Sequence, residues 1–435
     1  MKISVIGCGY LGAVHSACLT ELGHEVVGID VDPEKIALLA AATPPFYEPG
    51  LPELLSRSVA TGRLRFSTDV SDVRGSEVHF IAVGTPQLAG SDAADLQFVM
   101  AAVDSLLPHL ASGDLVVGKS TVPVGTARQL SDIVNSHGSG ASLAWNPEFL
   151  REGFAIKDTL APDRLVYGLA ASDHRGESML DTVYTRALAG GTPKVVTDFA
   201  TAELVKVAAN AFLATKISFI NAMAEVAEAT GADVTQLADA IGYDVRIGRR
   251  FLNAGLGFGG GCLPKDIRGF MARAKELGVD QALTFLREVD QINTRRRERM
   301  VDLAKEVVGG SLVGRRIAVL GLSFKPDSDD VRDSPALDVA LRLIESGATV
   351  LATDPQAVET ARRRYPHIKY VASPAEAAVD ADAVLLLTEW REYRDLDPAA
   401  FGDLVGTKTI LDGRNCLDPG AWRAAGWAYR ALGRP

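Results

Sequence analysis

The sequence opens with a pattern that few folds can accommodate. An apolar segment, residues 2–6, leads directly into Gly7-Cys8-Gly9-Tyr10-Leu11-Gly12, and a helical pattern then continues to about Leu22. A second apolar segment, residues 25–29, ends in Asp30, which lies 18 residues after Gly12. A strand, a glycine turn, a helix, a second strand and an acid in this order predict a βαβ unit that binds a dinucleotide.

Each member of this pattern has a chemical reason. Gly7 allows the tight turn, Gly9 lets a pyrophosphate approach the backbone, and Gly12 lets the helix pack against the strand. The N–H groups at the start of the helix favour the pyrophosphate. Asp30 can bind both ribose hydroxyls and would repel a 2′-phosphate, so NAD is favoured over NADP. Lys35 is either a contact of the adenosine end or a solvated helix charge.

The chain is too long for one core. Its 435 residues predict about three domains. We place the end of the first at residue 197, and Gly309-Gly310 marks the second boundary. Residues 316–321 then repeat the strand–glycine opening without the GxGxxG pattern, and Asp354 follows the next strand. The expected fold is α/β, with two doubly wound Rossmann-like domains (1–197 and 311–435) joined by a central all-helical domain (198–310).

Composition narrows the class of protein. The net charge of -10 argues against nucleic-acid binding, which is typical of chains with an excess of positive charge. The four cysteines are widely spaced, which argues against a disulfide framework and fits a reducing compartment. We see no cluster with metal-ligand spacing, no signal peptide, and no apolar run that approaches the roughly 20 residues of a membrane helix. The cytoplasm is therefore the expected location.

One glycine-rich segment carries a candidate nucleophile. Five glycines lie between Gly255 and Gly261, Cys262 follows them, and Pro264 suits the first turn of a helix that ends before Gly278. The partial positive charge at a helix N-terminus favours the thiolate, which is the reactive form of cysteine. The residues alone leave a second interpretation open, a buried structural cysteine beside a flexible loop.

A long apolar helix is predicted in the middle of the chain. Residues 200–230 are apolar on nearly every face, and Asp198 is a suitable N-cap. Such a helix is buried by its own domain or by a second subunit, and we favour a homodimer in which the central helices pack together. Lys206 and Asn210 lie one turn apart on it and need partners or a cavity, unless Lys206 extends to water.

Loops at the ends of predicted strands supply further candidates, because ligands bind outside the carboxyl ends of strands in open parallel sheets. Thr85 and Thr121 each follow such a strand and are cofactor-side candidates, although turn residues look similar. Glu148 and Glu152 follow another strand and form either an acid/base or sugar-binding pair or a solvated turn.

Basic residues in the second half of the chain could bind an anionic ligand. Arg246, Arg249 and Arg250 precede the cysteine segment and supply local positive charge. Lys325, Arg332 and Arg414 are expected on strand-end loops of the last domain, where they could bind phosphate or carboxylate. We expect the run at 295–297, on a predicted helix from 281 to about 308, to be a solvated face.

Taken together, these motifs resemble the UDP-glucose/GDP-mannose dehydrogenase family over nearly the whole chain. The resemblance rests on Gly7 to Gly12 with Asp30, the segments 48–51 and 146–152, Lys206 with Asn210, the segment 257–266, Phe324-Lys325 and Asp412-Gly413-Arg414. Leu11 stands where the family often has Val. The loop 87–91 is atypical, which makes Thr85 a weaker candidate than Thr121.

The resemblance implies a role for each candidate residue. Cys262 is the implied nucleophile, Lys206 and Asn210 stabilise oxyanions, Asp266 and Thr121 hold the water and lysine network, and Glu148 is the acid/base. The implied NAD contacts beyond the three glycines are Leu11, Asp30, Lys35, Thr85, Thr121, Glu152, Lys265 and Arg332. The implied nucleotide-sugar contacts are Glu148, Phe149, Leu150, Arg151, Glu152, Lys206, Asn210, Phe251, Leu252, Asn253, Ala254, Gly255, Gly259, Lys325 and Arg414, with Arg246 contributed across the dimer interface.

The resemblance also implies a reaction. The family oxidises the C6 alcohol of a nucleotide sugar twice, first to an aldehyde, which Cys262 would capture as a thiohemiacetal, and then to a thioester that water releases as the acid. Covalent capture explains the need for a cysteine, and negative charge that develops on oxygen explains Lys206 and Asn210.

Several alternatives stay open at this point. UDP-glucose is the expected substrate, with GDP-mannose and UDP-N-acetylmannosamine as alternatives, because no residue identified here reads the base. A single-step hydroxyacid dehydrogenase would need neither Cys262 nor the last domain. A non-enzymatic nucleotide-sugar-binding protein would have no use for the set of Cys262, Lys206, Asn210 and Asp266.

Overall fold

The computed structural model describes residues 1–171 and 173–435, and the chain forms two compact units. The first unit comprises residues 1–209 and 268–278, and the second comprises residues 210–267 and 279–435. The helices Phe199–Thr230 and Leu263–Glu276 each contribute residues to both units.

The first unit is built on an eight-stranded sheet. Its elements are β1 (Lys2–Ile6), α1 (Tyr10–Glu21), β2 (Glu25–Ile29), α2 (Pro33–Ala40), α3 (Leu51–Ala60), β3 (Leu64–Ser67), β4 (Val78–Ile81), α4 (Gln97–Leu106), β5 (Leu115–Gly118), α5 (Thr126–Ser136), β6 (Ser142–Trp145), α6 (Ala155–Leu160), β7 (Leu165–Gly168), α7 (His174–Val183), α8 (Thr185–Ala189) and β8 (Lys194–Thr197). The strand order is β3-β2-β1-β4-β5-β6-β7-β8, and the strands are parallel except that β7 runs antiparallel to β6.

This order places a crevice at the carboxyl end of β1. Successive strands run outward from β1 to β3, and the chain then returns to place β4 on the other side of β1. Ligands bind where the order reverses in this way, outside the strand ends. The core strands β4, β5 and β7 are buried at every position, as expected for a sheet covered on both faces.

The central helices follow, and then a second sheet. The elements are α9 (Phe199–Thr230), α10 (Val234–Gly242), α11 (Leu263–Glu276), α12 (Thr284–Val307), β9 (Arg316–Leu320), α13 (Pro335–Glu345), β10 (Thr349–Thr353), α14 (Val358–Arg364), β11 (Lys369–Tyr370), α15 (Pro374–Ala378), β12 (Ala383–Leu386), α16 (Arg391–Arg394), α17 (Pro398–Gly402), β13 (Thr409–Asp412), α18 (Pro419–Ala424) and β14 (Ala428–Ala431). The order β11-β10-β9-β12-β13-β14 is parallel throughout and repeats the first topology.

The predicted fold class is confirmed: two doubly wound sheets with a helical middle region. Asp198 accepts a hydrogen bond from the backbone N–H of Thr201 (2.8 Å), as predicted for the N-cap of α9. Strands β3, β7, β8, β11 and β14 were not identified individually from the sequence, because each is short and several lie near a sheet edge.

Two expectations were wrong. We expected no apolar run as long as a membrane helix. In the part of the chain that the structure describes, α9 is long and apolar enough to cross a membrane by length and composition alone, although core helices of soluble proteins pass the same test. The run at 295–297 is not a solvated face, because Arg296 and Arg297 are buried in ion pairs and only Arg295 is exposed. Carboxylates on distant elements face this side of α12, and they cannot be seen in the local pattern.

Candidate active site

The turn after β1 has the shape that a dinucleotide requires. Gly7 has φ +93°, and a Cβ at Gly12 would stand 1.8 Å from the Gly7 carbonyl oxygen, so a side chain is excluded there. Among the described atoms, none lies within 4 Å of where a Cβ at Gly9 would stand. No side chain of the described residues caps the N-terminus of α1, and its first turn carries no acid. The open space and the unpaired N–H groups fit a pyrophosphate.

Asp30 lies at the end of β2, beside this turn. Its carboxylate accepts hydrogen bonds from the backbone N–H of Cys8 (2.8 Å) and from Lys35 Nζ (2.9 Å). Lys35 therefore neutralises Asp30, and a direct contact of Lys35 with NAD stays a prediction. Leu11 is half-buried and packs against the core of the first sheet. The residues present fit NAD, which supplies hydride-accepting chemistry when it is bound.

The strand-end loops after β4 and β5 are joined to each other. Thr85 is buried, and its hydroxyl donates a hydrogen bond to the Thr121 carbonyl oxygen at 2.8 Å. The two threonines predicted on the cofactor side are thus neighbours, even though the atypical loop follows Thr85.

Lys206 does not extend to water. It is buried, and its Nζ lies 2.7 Å from Oε1 of Glu148. The other oxygen of Glu148 accepts a hydrogen bond from the backbone N–H of Leu150 (2.7 Å). The ring of Phe149 is covered by the Arg164 guanidinium at 3.7 Å. The structure therefore assembles a buried cation and carboxylate from two separate motifs, a pair suited to holding a proton or an oxyanion.

The rest of this loop is held by contacts that the sequence did not reveal. Arg151 is exposed and binds Asp158 (2.6 Å), which raises the pKa of the arginine. Glu48 is buried and accepts hydrogen bonds from the backbone of Gly153 (2.6 Å) and from the Tyr10 hydroxyl. The segment around Glu48 supported the family resemblance but received no role. Its carboxylate ties the loop that contains Glu152 to the start of α1.

A second buried network lies behind the same loop. Lys119 Nζ donates to the side-chain oxygen of Asn146 (2.9 Å) and lies 3.1 Å from the hydroxyl of Tyr184, which itself donates to Asn146 (2.7 Å). Burial lowers the pKa of Lys119 to about 7. Sequence analysis missed this network, although a lysine directly after the buried strand β5 was a signal for it.

Cys262 is exposed at the start of α11, so the alternative of a buried structural cysteine is wrong. Its carbonyl oxygen accepts the hydrogen bond of Asp266 N–H (2.9 Å), which makes Cys262 the first residue of the helical turn. Asp266 is buried, and its carboxylate accepts from Asn210 Nδ2 (2.6 Å) and Lys265 Nζ (2.6 Å). Three predicted residues from two separate motifs therefore lie together one turn from Cys262.

The glycine segment before Cys262 is held in one shape. The Gly255 N–H donates to Asn221 Oδ1 (2.9 Å), and the Leu256 N–H donates to the Gly413 carbonyl oxygen (3.0 Å). Gly257 has φ +91°, and a Cβ there would stand 2.0 Å from Asn293 Oδ1. This segment is thus pinned by buried amides rather than flexible.

The predicted nucleotide-sugar residues near the cysteine segment differ in their exposure to solvent. Phe251 has φ +66°, Leu252 and Ala254 are buried, and exposed Asn253 accepts a hydrogen bond from Arg249 (2.8 Å). Arg246 is exposed and binds the neighbouring Asp244 at 2.6 Å, so its predicted role across a dimer interface stays a prediction.

The basic residues of the last sheet differ from one another. Lys325 is half-buried, with Nζ 5.6 Å from the ring centre of Phe324. Arg332 binds Asp330 at 2.7 Å, and its guanidinium lies against Gly261. Arg414 donates to three backbone carbonyl oxygens, those of Leu387 (2.7 Å), Gly257 (3.0 Å) and Phe324 (3.1 Å). In this structure Arg414 joins loops, and a contact with the nucleotide stays a prediction.

Comparison with known proteins identifies the class. Residues 1–188, 200–295 and 318–419 match the NAD binding, central and UDP binding domains of the UDP-glucose/GDP-mannose dehydrogenase family. The chain therefore belongs to this family of NAD-dependent nucleotide-sugar dehydrogenases, and the predicted NAD cofactor is confirmed. The exact boundaries at 197 and 310 stay predictions.

Relatives of similar length are found in several bacteria and archaea. The chain is 41% identical to UDP-glucose 6-dehydrogenase of Rhizobium meliloti, with all of both chains covered, and 42% identical to UDP-glucose 6-dehydrogenase TuaD of Bacillus subtilis, with all of this chain and 93% of that one covered. Among solved structures, a UDP-glucose dehydrogenase from Pyrobaculum islandicum has a TM-score of 0.90 at 39% identity, covering 100% of this chain and 98% of that one. A UDP-D-ManNAc dehydrogenase from Pyrococcus horikoshii has a TM-score of 0.87 at 27% identity, covering 100% and 99%.

Proposed function

We propose that this protein is a UDP-glucose 6-dehydrogenase that oxidises UDP-glucose to UDP-glucuronate with NAD. The observation that carries the proposal is Cys262, exposed at the start of α11 with Asp266 and Asn210 one turn away. It stands in a chain that is 41% identical over its full length to a UDP-glucose 6-dehydrogenase. A single-step hydroxyacid dehydrogenase would leave this cysteine and the UDP binding domain without a role.

The proposed reaction assigns one task to each group. In the first oxidation the C6 hydroxyl gives its proton to Glu148, whose carboxylate Lys206 holds at 2.7 Å. The Cys262 thiolate then adds to the aldehyde carbon, a C–S bond forms, and the oxygen takes the proton from Glu148. In the second oxidation this hydroxyl returns its proton to Glu148 as the second hydride leaves carbon. After the second oxidation a water attacks the thioester, the C–S bond breaks, and the acid leaves. Bound NAD would accept one hydride in each oxidation.

Electrostatics explains the choice of side chains. Negative charge develops on the C6 oxygen when the thiolate adds and again when water attacks. The buried ammonium of Lys206 and the amide of Asn210 are donors that can stabilise this charge, and removal of such a donor typically costs about 3 to 4 kcal/mol of transition-state stabilisation. Asp266 orients Asn210 through the 2.6 Å hydrogen bond.

Exposed apolar side chains on α9 suit the interface of a dimer. Phe212, Phe219 and Val226 are exposed on α9 at seven-residue spacing, and they form an apolar stripe along one side of this helix. We propose that the stripe packs against a second copy in a homodimer. We also propose a cytoplasmic location, where the NAD and nucleotide sugars that it uses are available.

The test is the yield of NADH from a limiting amount of UDP-glucose, followed by absorbance to completion. Two NADH per sugar are expected. One NADH would make the aldehyde the product and leave Cys262 without a catalytic role. No NADH would direct the assay to GDP-mannose and UDP-N-acetylmannosamine.

A Cys262→Ser variant separates chemistry from binding. We expect it to lose overall turnover and to retain UDP-glucose affinity in calorimetry, because the serine fills the same space but is a weaker nucleophile. Cys416→Ser is the matched control, since Cys416 is partly buried beside Asp412 and burial raises its pKa. Ordinary turnover in Cys262→Ser would end the covalent route.

A further inference from the structure

Arg297 on α12 lies beneath the segment that carries Cys262. Its side chain is 9% exposed. One nitrogen donates to the Phe258 carbonyl oxygen at 3.2 Å, and another lies 3.0 Å from a carboxylate oxygen of Asp333. A single guanidinium therefore binds two loops at once, which the fixed fork of an arginine makes possible.

Asn293, one turn before Arg297, holds the same peptide. Its side-chain oxygen accepts from the Phe258 N–H (2.7 Å), and its nitrogen donates to the Phe258 carbonyl oxygen (2.9 Å). Both backbone groups of Phe258 are thus bound from α12. Because a Cβ at Gly257 would collide with Asn293, this packing depends on the glycine. The peptide four residues before Cys262 is fixed by α12.

The second loop bound by Arg297 also lies against the cysteine segment. A Cβ at Gly259 would stand 2.3 Å from the Asp333 carbonyl oxygen, so the two backbones are in close contact. The Gly260 N–H donates to the Arg332 carbonyl oxygen at 2.9 Å. Asp333 itself has φ +45°, a backbone conformation that residues other than glycine rarely adopt without support. The salt bridge to Arg297 provides such support.

We propose that Arg297 is a positioning residue, which fixes the segment 257–261 and the loop 330–333 in the one geometry that presents Cys262 and Arg332. The expected effect on catalysis rests on the proposed function, whereas the expected effect on the two loops does not. Charge-assisted hydrogen bonds to a carboxylate and a carbonyl are strong when they are shielded from water. A displacement of about 1 Å in a reacting group can lower a rate about 100-fold.

The test compares Arg297→Lys with Arg295→Met, which removes an exposed arginine from the same helix. A lysine keeps the charge but has one ammonium group, which cannot replace the fork across both loops. We expect Arg297→Lys to lower kcat about 100-fold and to raise the KM for UDP-glucose by a smaller factor, because the segment that Arg297 holds leads to Cys262 and also contains Gly259. Arg295→Met should match the wild type in both kcat and KM.

A second readout does not depend on activity. Hydrogen exchange of the amides in residues 255–262 should become about tenfold faster or more in Arg297→Lys, since the loop loses a bond to a charged group. The exchange should be unchanged in Arg295→Met. Asp333→Asn, which retains the size of the side chain and removes its charge, should move kcat and exchange in the same direction and serves if Arg297→Lys does not fold.

The outcomes separate this inference from the proposed function. Unchanged exchange in both Arg297→Lys and Asp333→Asn would overturn the inference, as would a lower kcat without faster exchange. If the wild-type protein makes no NADH from any of the three nucleotide sugars, the proposed function fails, but the exchange comparison still tests Arg297.

Discussion

Replacement of Lys119 by methionine tests whether burial lowers the pKa of this core lysine to near neutral pH. Its ammonium group lies 2.9 Å from Asn146 Oδ1 and 5.6 Å from the ring centres of Phe80 and Tyr184, and burial lowers its pKa from 10.5 to about 7. Glu148 opposes the shift and Lys206 adds to it. Methionine has a similar length, and Tyr184 can still donate to Asn146.

The direction in which pH changes the free energy of unfolding follows from proton binding at Lys119. Between the folded pKa of about 7 and the unfolded pKa of 10.5, the unfolded chain binds a proton at Lys119 that the folded chain lacks. The contribution of Lys119 to the free energy of unfolding therefore rises with pH across this window and is smallest below it. At about 1.4 kcal/mol per pH unit, the wild type should gain about 2 to 3 kcal/mol relative to Lys119→Met between about pH 7.5 and pH 9.5.

The assay is urea unfolding of both proteins at several pH values, with peptides from residues 115–145 followed by pulsed hydrogen exchange and mass spectrometry. This local readout is needed because a chain with two units can unfold in more than one step. Lys2→Met, which removes an exposed lysine of the same sheet, is the control. A difference between the wild type and Lys119→Met that does not change with pH would refute the reasoning.

Two further predictions test the cofactor site and the proposed dimer. Gly12→Ala should lower the free energy of unfolding by about 1 to 3 kcal/mol and raise the KM for NAD more than that for UDP-glucose, because its Cβ would stand 1.8 Å from the Gly7 carbonyl oxygen; an unchanged KM for NAD would contradict this. Phe212→Glu, at a position that is 67% exposed on α9, should convert the dimer to monomer in sedimentation or light scattering. Phe285→Glu on α12 is its control, and a monomeric wild type would exclude the interface.

Local patterns predicted the elements that depend on neighbouring residues. The turn from Gly7 to Gly12, Asp30 and the exposed Cys262 at the start of α11 could each be read from a few consecutive positions. Periodicity reports which face of one helix is apolar, and it found α9 for this reason.

Contacts between distant elements could not be predicted in this way. Arg297 was assigned to a solvated face because three successive arginines are usually exposed, yet Phe258 and Asp333, which bind it, lie on loops 39 and 36 residues away. Lys119 and Tyr184 are 65 residues apart, and Glu48 and Gly153 are 105 apart. Tertiary packing decides these pairs.

The two sheets show why topology alone does not assign a site. Asp354 follows β10 as Asp30 follows β2, and the strand orders are equivalent. However, one oxygen of Asp354 accepts hydrogen bonds from the Leu322 and Ser323 N–H groups (2.7 and 3.0 Å) and from Trp390 Nε1 (3.1 Å). The indole therefore takes an acceptor position that a ribose hydroxyl would require.

The glycine turn of the second sheet is closed as well. Gly321 corresponds to Gly7, and two residues later, where the first turn has Gly9, the second has Ser323. The Ser323 hydroxyl donates to Asp354 (3.0 Å), and the Ser323 carbonyl oxygen accepts from the Thr388 hydroxyl (2.6 Å). At Gly9, by contrast, the described atoms leave the space above the turn open. Both turns use an aspartate to bind backbone N–H groups, but only the first turn leaves room for a pyrophosphate. The same topology thus serves a dinucleotide in one sheet and is filled by side chains in the other, so the function must be argued from the turn and not from the strand order.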